Sequence, residues 1–326
     1  MRASHCKSSF LVSTLMLLCT APSYAAVIQP LSPETGIYRL ILEKTKAYYA
    51  AWSYTKEDQV YDQAGVYYSK NPDNVYWDPL PPLKGYRGWS EYQDVIESVW
   101  KPNGLAAAGI LFAHDGSFQA WAYEDVVWTT ANCLVYAQYD NGKSATIPCR
   151  GTQIWNREDG KWLLVHEHYS GASDLGNTLF QSPEKAGTQA KTETAFAILG
   201  KQLLAAWSAG PVETAGARLR EFYATGNDLR LYMPWAPHDG FQTLNEFQQG
   251  LNDYVRLAAR KLNLSYRGDF EATQRGDIAW STATVHFNFE QHDKTQIAAD
   301  GRQTLIWFRQ NKKWVVIHEH LSIPAG

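Results

Sequence analysis

The sequence predicts an α+β fold that occurs twice in tandem, and three observations predict it. At 326 residues the chain exceeds what one hydrophobic core usually serves, so two domains of about 150 residues are expected. A shift of 152 residues lays 128–170 over 280–322 without a gap. Within each copy helical periodicity comes first and strand alternation follows, the order of a helical layer packed on an antiparallel sheet.

The opening helix is read from Ile37, Ile41, Tyr48 and Trp52 in the first copy and from Leu199, Leu203 and Trp207 in the second, which fall near four-residue steps. A short strand and Pro-containing loop come next, Val75-Tyr76-Trp77-Asp78-Pro79 and Leu231-Tyr232-Met233-Pro234. Helices are expected over 91–100 and 246–259. Strands are expected over 118–128, 130–138, 146–156 and 162–170, with counterparts 152 residues on. Asp159-Gly160 reads as the turn of the last hairpin. Upstream the shift becomes 155, pairing Trp52 with Trp207, Pro79 with Pro234 and Tyr92 with Phe247. The expected domains are 34–174 and 194–324. Between them, 175–193 is rich in small and polar residues and reads as a linker.

Hydrophobic residues make up 45% of the chain and charged residues 19%, a globular composition, and a net charge of -3 without a basic stripe argues against a nucleic-acid partner. The first 25 residues read as a signal peptide: Arg2 and Lys7 precede an apolar run over 10–19, and Ser23-Tyr24-Ala25 precedes Ala26. Cleavage is expected after Ala25 or Ala26, giving a periplasmic protein with no membrane segment, because so short a run cannot cross about 30 Å of hydrocarbon. Cleavage removes Cys6 and Cys19. Cys133 and Cys149 remain, placed opposite each other by the Asn141-Gly142 hairpin, and a disulfide is expected in an oxidising compartment.

The stretch Arg-Gly-Thr-Gln-Ile-Trp-Asn-Arg-Glu-Asp-Gly-Lys-Trp-Leu-Leu-Val-His-Glu-His-Tyr-Ser, residues 150–170, resembles the closing hairpin of the nuclear transport factor 2-like superfamily. It is similar in particular to SnoaL-like domains and to the association domain of calmodulin-dependent kinase. Both halves carry the resemblance, which covers nearly all the chain beyond the leader. It implies two cones, each a curved sheet wrapped around helices with a pocket inside. By analogy with ketosteroid isomerase it implies that Val165, Glu167, Tyr169 and Gln153 line the first cone while the histidines face outward. Asp78, in an Asp-Pro pair, falls where that enzyme carries its general base. Tyr49 is placed like the tyrosine that donates to the developing enolate, and Gln153 is nearest to the second donor. The second copy has Met233 and Leu204 at the positions of Asp78 and Tyr49.

Simple alternation on the last strand of the first copy sets Trp162, Leu164, His166, His168 and Ser170 on one face and Leu163, Val165, Glu167 and Tyr169 on the other. A two-residue turn would pair Arg150 with Tyr169, a bulged loop with His168. No further ligand completes a metal shell around His-x-His, so neither metal nor cofactor is expected. Glu167 and Glu319 recur with Arg150 and Arg302, either as a bracing ion pair or with the glutamates as ligand anchors. With 13 Trp and 19 Tyr, a small apolar or aromatic ligand is the expected partner, held by Trp52, Trp77, Gln153, Glu167, Tyr169 and Glu319. The alternatives are an isomerase, cyclase or dehydratase using Asp78 and Tyr49, and a structural pseudo-dimer that presents loops to a protein. Duplication lets the two copies pair within one chain through their outer sheet faces, burying Trp162, His166 and His168 near Trp314, His318 and His320.

Overall fold

The computed structural model describes residues 28–53, 61–79, 82–100, 110–114, 116–138, 142–171, 194–225, 229–235 and 237–323. The expected leader, the linker and turn residues 139–141 lie outside the described residues. The first half consists of α1 (Gly36–Trp52), β1 (Val75–Trp77), β2 (Tyr86–Arg87), α2 (Gly88–Val95), β3 (Ile110–His114), β4 (Gln119–Tyr123), β5 (Val126–Gln138), β6 (Ser144–Glu158) and β7 (Lys161–Gly171). The second half repeats the plan with α3 (Ala195–Ser208), α4 (Ala215–Leu219), β8 (Arg230–Tyr232), α5 (Leu244–Gly250), α6 (Arg256–Ala258), β9 (Lys261–Tyr266), β10 (Glu271–Arg275), β11 (Ile278–Glu290), β12 (Gln296–Gln310) and β13 (Lys313–Ser322). The α+β class holds, each half being one mixed sheet with few helices. No helix among the described residues is long and apolar enough to cross a membrane.

In the first sheet the strand order is β2-β1-β7-β6-β5-β3, with β4 also on β5; in the second it is β10-β11-β12-β13-β8, with β9 on β11. The short strands that precede the Pro-containing loops, β1 and β8, pair in parallel with β7 and β13 and set Tyr76 beside Glu167 and Leu231 beside Glu319. Helix α1 starts where Thr35 accepts the Tyr38 amide on its side chain, and its buried Thr45, Tyr48, Tyr49 and Trp52 form one stripe against the sheet. The strand expected over 118–128 is instead two: the chain turns at Glu124, whose φ is 51°, and β5 runs unbroken to Gln138.

Asp159 and Gly160 both take positive φ, 47° and 78°, as a two-residue hairpin turn requires. That turn alone would set Arg150 opposite Tyr169. An extra residue, Val165, bulges between the pairs Ile154–His166 and Trp155–Leu164, and Arg150 therefore faces Ser170, in neither expected register. Strand β13 bulges in the same way at Ile317. The bulge changes which side chains share a face. Trp162 and Leu164 join Tyr169 in the first core, while Val165 packs outward with Trp128 and Ile154 against Trp280, Ile306 and Ile317 of the other half. The expectation that Val165 lines the interior is corrected accordingly.

The histidines do meet across this seam. Thr304 lies 2.8 Å from His166 and 3.0 Å from His168, and Thr152 lies 2.8 Å from His318 and 3.0 Å from His320. Ser322 and Ser170 hold the far nitrogens of His168 and His320, each at 2.7–2.8 Å. Trp162 and Trp314 do not take part as expected, because the bulge returns both to the cores of their own halves. Cys133 and Cys149 face each other in register, yet both are buried thiols not joined in the expected disulfide, with Cys133 directed at the Tyr49 hydroxyl.

Candidate functional site

Each half buries one carboxyl on its last strand, Glu167 on β7 and Glu319 on β13, both with no exposed surface. Around Glu167 converge Tyr48 from α1 and Tyr68 from the segment that bridges to Leu164. Tyr68 donates to one carboxyl oxygen at 2.7 Å, Tyr48 donates to the other, and the two phenols lie 2.9 Å apart. Burial dominates the carboxyl's ionisation: it pushes Glu167 up to about 8, the tyrosine bonds oppose this, and the charge of Asp78 adds to it. Burial therefore favours the neutral acid, against the pull of the two phenols.

The second half serves its carboxyl from different residues. Tyr223, the counterpart of Tyr68, donates to Glu319, and Gln303 donates to the other oxygen at 2.6 Å. Tyr266 in turn donates to Gln303 at 2.9 Å, so this set closes on itself. Burial raises Glu319 to about 7. The two interiors differ by an exchange of facing residues. Gly151 faces Tyr169 on the first sheet and Gln303 faces Leu321 on the second. A side chain at Gly151 would come within 2.4 Å of the Tyr169 ring, so that tyrosine needs that glycine.

The contrast extends through the core. Tyr48, Tyr49, Tyr76, Tyr86, Tyr92 and Tyr169 of the first interior stand where the second has Leu203, Leu204, Leu231, Phe241, Phe247 and Leu321. Tyr169 donates to Tyr49 at 3.2 Å, and Tyr92 donates to the Asp78 carboxylate at 2.9 Å. Gln153 is 2% exposed, lies opposite Glu167 and accepts from Thr45 at 3.4 Å. Its amide Nε2 finds no hydrogen-bond partner among the described residues, and neither does the indole nitrogen of buried Trp52. A buried donor without a partner costs about 1–3 kcal/mol.

Of the residues read from sequence, Glu167, Gln153, Tyr169, Tyr49 and Trp52 share the first interior, and Asp78 turns inward to Tyr92. Glu319 occupies the equivalent place in the second half. Trp77 does not line that interior: it faces the seam, 5.0 Å from the His168 ring and 5.7 Å from that of His166. Nor do the arginines brace the glutamates. Arg150 and Arg302 lie on the outer sheet face, and their guanidiniums cross to backbone carbonyls of the opposite half. Sequence reasoning missed Tyr48, Tyr68 and Tyr92. Tyr68 carried a signal, since Tyr223 recurs 155 residues on. Among the described residues no cluster of three or more His, Cys, Asp or Glu could hold a metal.

The architecture and the two interiors define a tandem α+β protein with one tyrosine-rich core and one in which leucine and phenylalanine take most of those tyrosine positions. The model of the SnoaL-like domain matches residues 46–174 and 202–326, and the chain belongs to that family, carrying the domain twice. No curated protein matches it. Among solved structures, the chain is similar to a nuclear transport factor 2-like superfamily protein from Salmonella enterica serovar Typhimurium, at 17% identity and a TM-score of 0.33 over 39% of this chain and 87% of that one. The association domain of CaMKII from C. elegans is similar at 15% identity and a TM-score of 0.32, over 39% of this chain and 92% of that one. An NTF2-like protein of unknown function from Pseudomonas putida gives 20% identity and a TM-score of 0.32, over 40% and 84%.

Proposed function

We propose that the first half binds a small, largely apolar or aromatic molecule bearing an oxygen acceptor, and that the second half is its structural counterpart in an intramolecular pseudo-dimer. The observation that carries this reading is the unpartnered Nε2 of buried Gln153 opposite Glu167, whose ionisation burial opposes. Aromatic walls supply the apolar contact. Gln153 supplies a donor that no described residue satisfies, and burial holds the facing acid toward its uncharged form. In the second half Leu305 replaces Gln153 and the polar set is closed, which supports a structural role there. Thermal shift of the full chain against a panel of small phenols, ring ketones and aromatic acids tests the reading. At about 100 Kd of ligand the gain is about 2.7 kcal/mol, a shift of a few degrees. A shift in the wild type that Gln153→Leu abolishes supports it; no shift across the panel argues against it.

The second reading is catalysis of the isomerase, cyclase or dehydratase kind with Asp78 as base. Its support is that Asp78 is 6% exposed and held by the Tyr92 hydroxyl on the interior side. An aspartate so placed can move a proton beside a guest's carbonyl. Asp78→Asn separates the readings, because it abolishes turnover and leaves binding within severalfold. The leader-like segment over 1–25 supports placing either function in the periplasm, which the amino-terminal mass of the exported protein tests.

A further inference from the structure

Arg302 belongs to the second half, yet its guanidinium ends in the first. It donates to the carbonyl of Leu83 at 2.9 Å, to that of Pro82 at 2.6 Å and to that of Asp78. Its side chain is 1% exposed. A planar cation with five donors can hold several carbonyls at once, and charged donors make the stronger hydrogen bonds.

The gripped backbone is where the first half turns from seam to interior. Trp77 packs on the seam histidines, and the next residue, Asp78, points inward to Tyr92. Pro82 also accepts the Gly85 amide at 2.9 Å, closing a turn in which Gly85 takes φ +73° directly against Trp77. A side chain at Gly85 would meet the Trp77 indole at 2.0 Å. Arg302, from outside the domain, thus fixes the backbone at Asp78 together with the Pro82–Gly85 turn and Trp77 of the first half itself.

We infer that Arg302 is a positioning residue, and that the second half sets, in trans, the place of Asp78 at the edge of the first interior. The reciprocal residue, Arg150, donates to the carbonyl of Met233 at 3.1 Å and lies 5.1 Å over the Tyr232 ring. The residue it steadies carries no titratable group. Duplication has kept both arginines, but only one of them anchors an acid. The inference goes beyond the ligand proposal and does not depend on a ligand being found.

Hydrogen–deuterium exchange on the full chain tests it, comparing wild type with Arg302→Met, Arg302→Lys and Arg150→Met. In Arg302→Met, exchange at Gly85 and Tyr86 rises at least about tenfold, with β7 and β13 unchanged. Arg302→Lys gives a smaller rise at the same two amides, since an ammonium keeps the charge but cannot span the carbonyls. Arg150→Met leaves them unchanged and instead loosens Gly240, whose amide bonds to Pro237 at 2.8 Å. The carbon-13 resonance of the Asp78 carboxyl, assigned through Asp78→Asn, moves in Arg302→Met and stays in Arg150→Met. A uniform rise across β7 and β13, or no rise at Gly85, would make Arg302 a seam residue only and overturn the inference. Should Arg302→Met fail to fold, Arg302→Lys decides on the same amides and the same resonance.

Discussion

The imidazole rings of His168 and His320, one from each half, lie face to face with centroids 3.7 Å apart and planes 9° from parallel. Such closeness disfavours positive charge on both rings at once. Burial is the main cause in all four seam histidines: it lowers His166 to about 4 and His318 to about 3, and holds His168 and His320 well below their ordinary value. These are neutral hydrogen-bonding groups that join two sheets, not a metal site or an acid–base pair.

Stability should therefore pass through a maximum near pH 6.5. Below that value the unfolded chain takes up protons on four histidines that the folded chain refuses, so stability falls as pH falls toward 4. Glu167 and Glu319 act in the opposite sense. Their folded values, about 8 and about 7, lie above the unfolded one, so the stability they contribute falls progressively as pH rises above the ordinary carboxylate range and is gone past 7 to 8. From pH 6.5 to 5.5 the histidines win, four against two, and urea denaturation should show a loss of about 1–2 kcal/mol.

Thr304→Val should cost about 2–4 kcal/mol, because one hydroxyl serves both His166 and His168 and its loss strands two buried nitrogens. Thr152→Val should cost the same by the symmetry of the seam. Both are read as denaturation midpoints. Unfolding should stay a single transition in each, since the halves share a buried apolar patch as well as these bonds.

Much of this was legible in the sequence. The repeat exposed Glu167, the histidines and their counterparts, and the inward-facing Gln153 and Tyr169 followed from the family resemblance. What was not legible turned on single residues. The bulge at Val165 has no local signature, since Leu164, Val165 and His166 all suit a regular strand, yet it reassigns Trp162, Leu164 and Val165 to opposite faces. Strand β1 is three residues long, too short for alternation to show that Trp77 faces the seam. Tyr68 sits on an isolated bridge between elements, and the helical pattern of Tyr92 reads as ordinary core. The arginines were paired with the glutamates by recurrence alone, which says nothing about the sheet face.

Replacing Glu167 should reveal its protonation. Glu167→Gln matches the shape of the neutral acid and should change stability at pH 7 by less than about 1 kcal/mol, whereas Glu167→Ala opens a cavity and strands two phenols at a cost of about 3 kcal/mol or more. A large loss in Glu167→Gln at pH 7, measured by denaturation, would show that the carboxylate form is the one the fold needs.

Gln153→Leu installs the residue the second half uses at this place. By removing a buried donor without a partner it should raise stability of the unliganded chain by about 1 kcal/mol. A fall in stability would mean that Nε2 is satisfied in the folded protein and needs no guest.

The most direct test of a single working interior is the stoichiometry of binding. Native mass spectrometry of the full chain titrated with 2-naphthol, a fused aromatic body with one hydroxyl, should show one molecule per chain, retained in Arg150→Met and lost in Gln153→Leu. Two molecules per chain, or one that survives in Gln153→Leu, would contradict the assignment of binding to the tyrosine-lined first half.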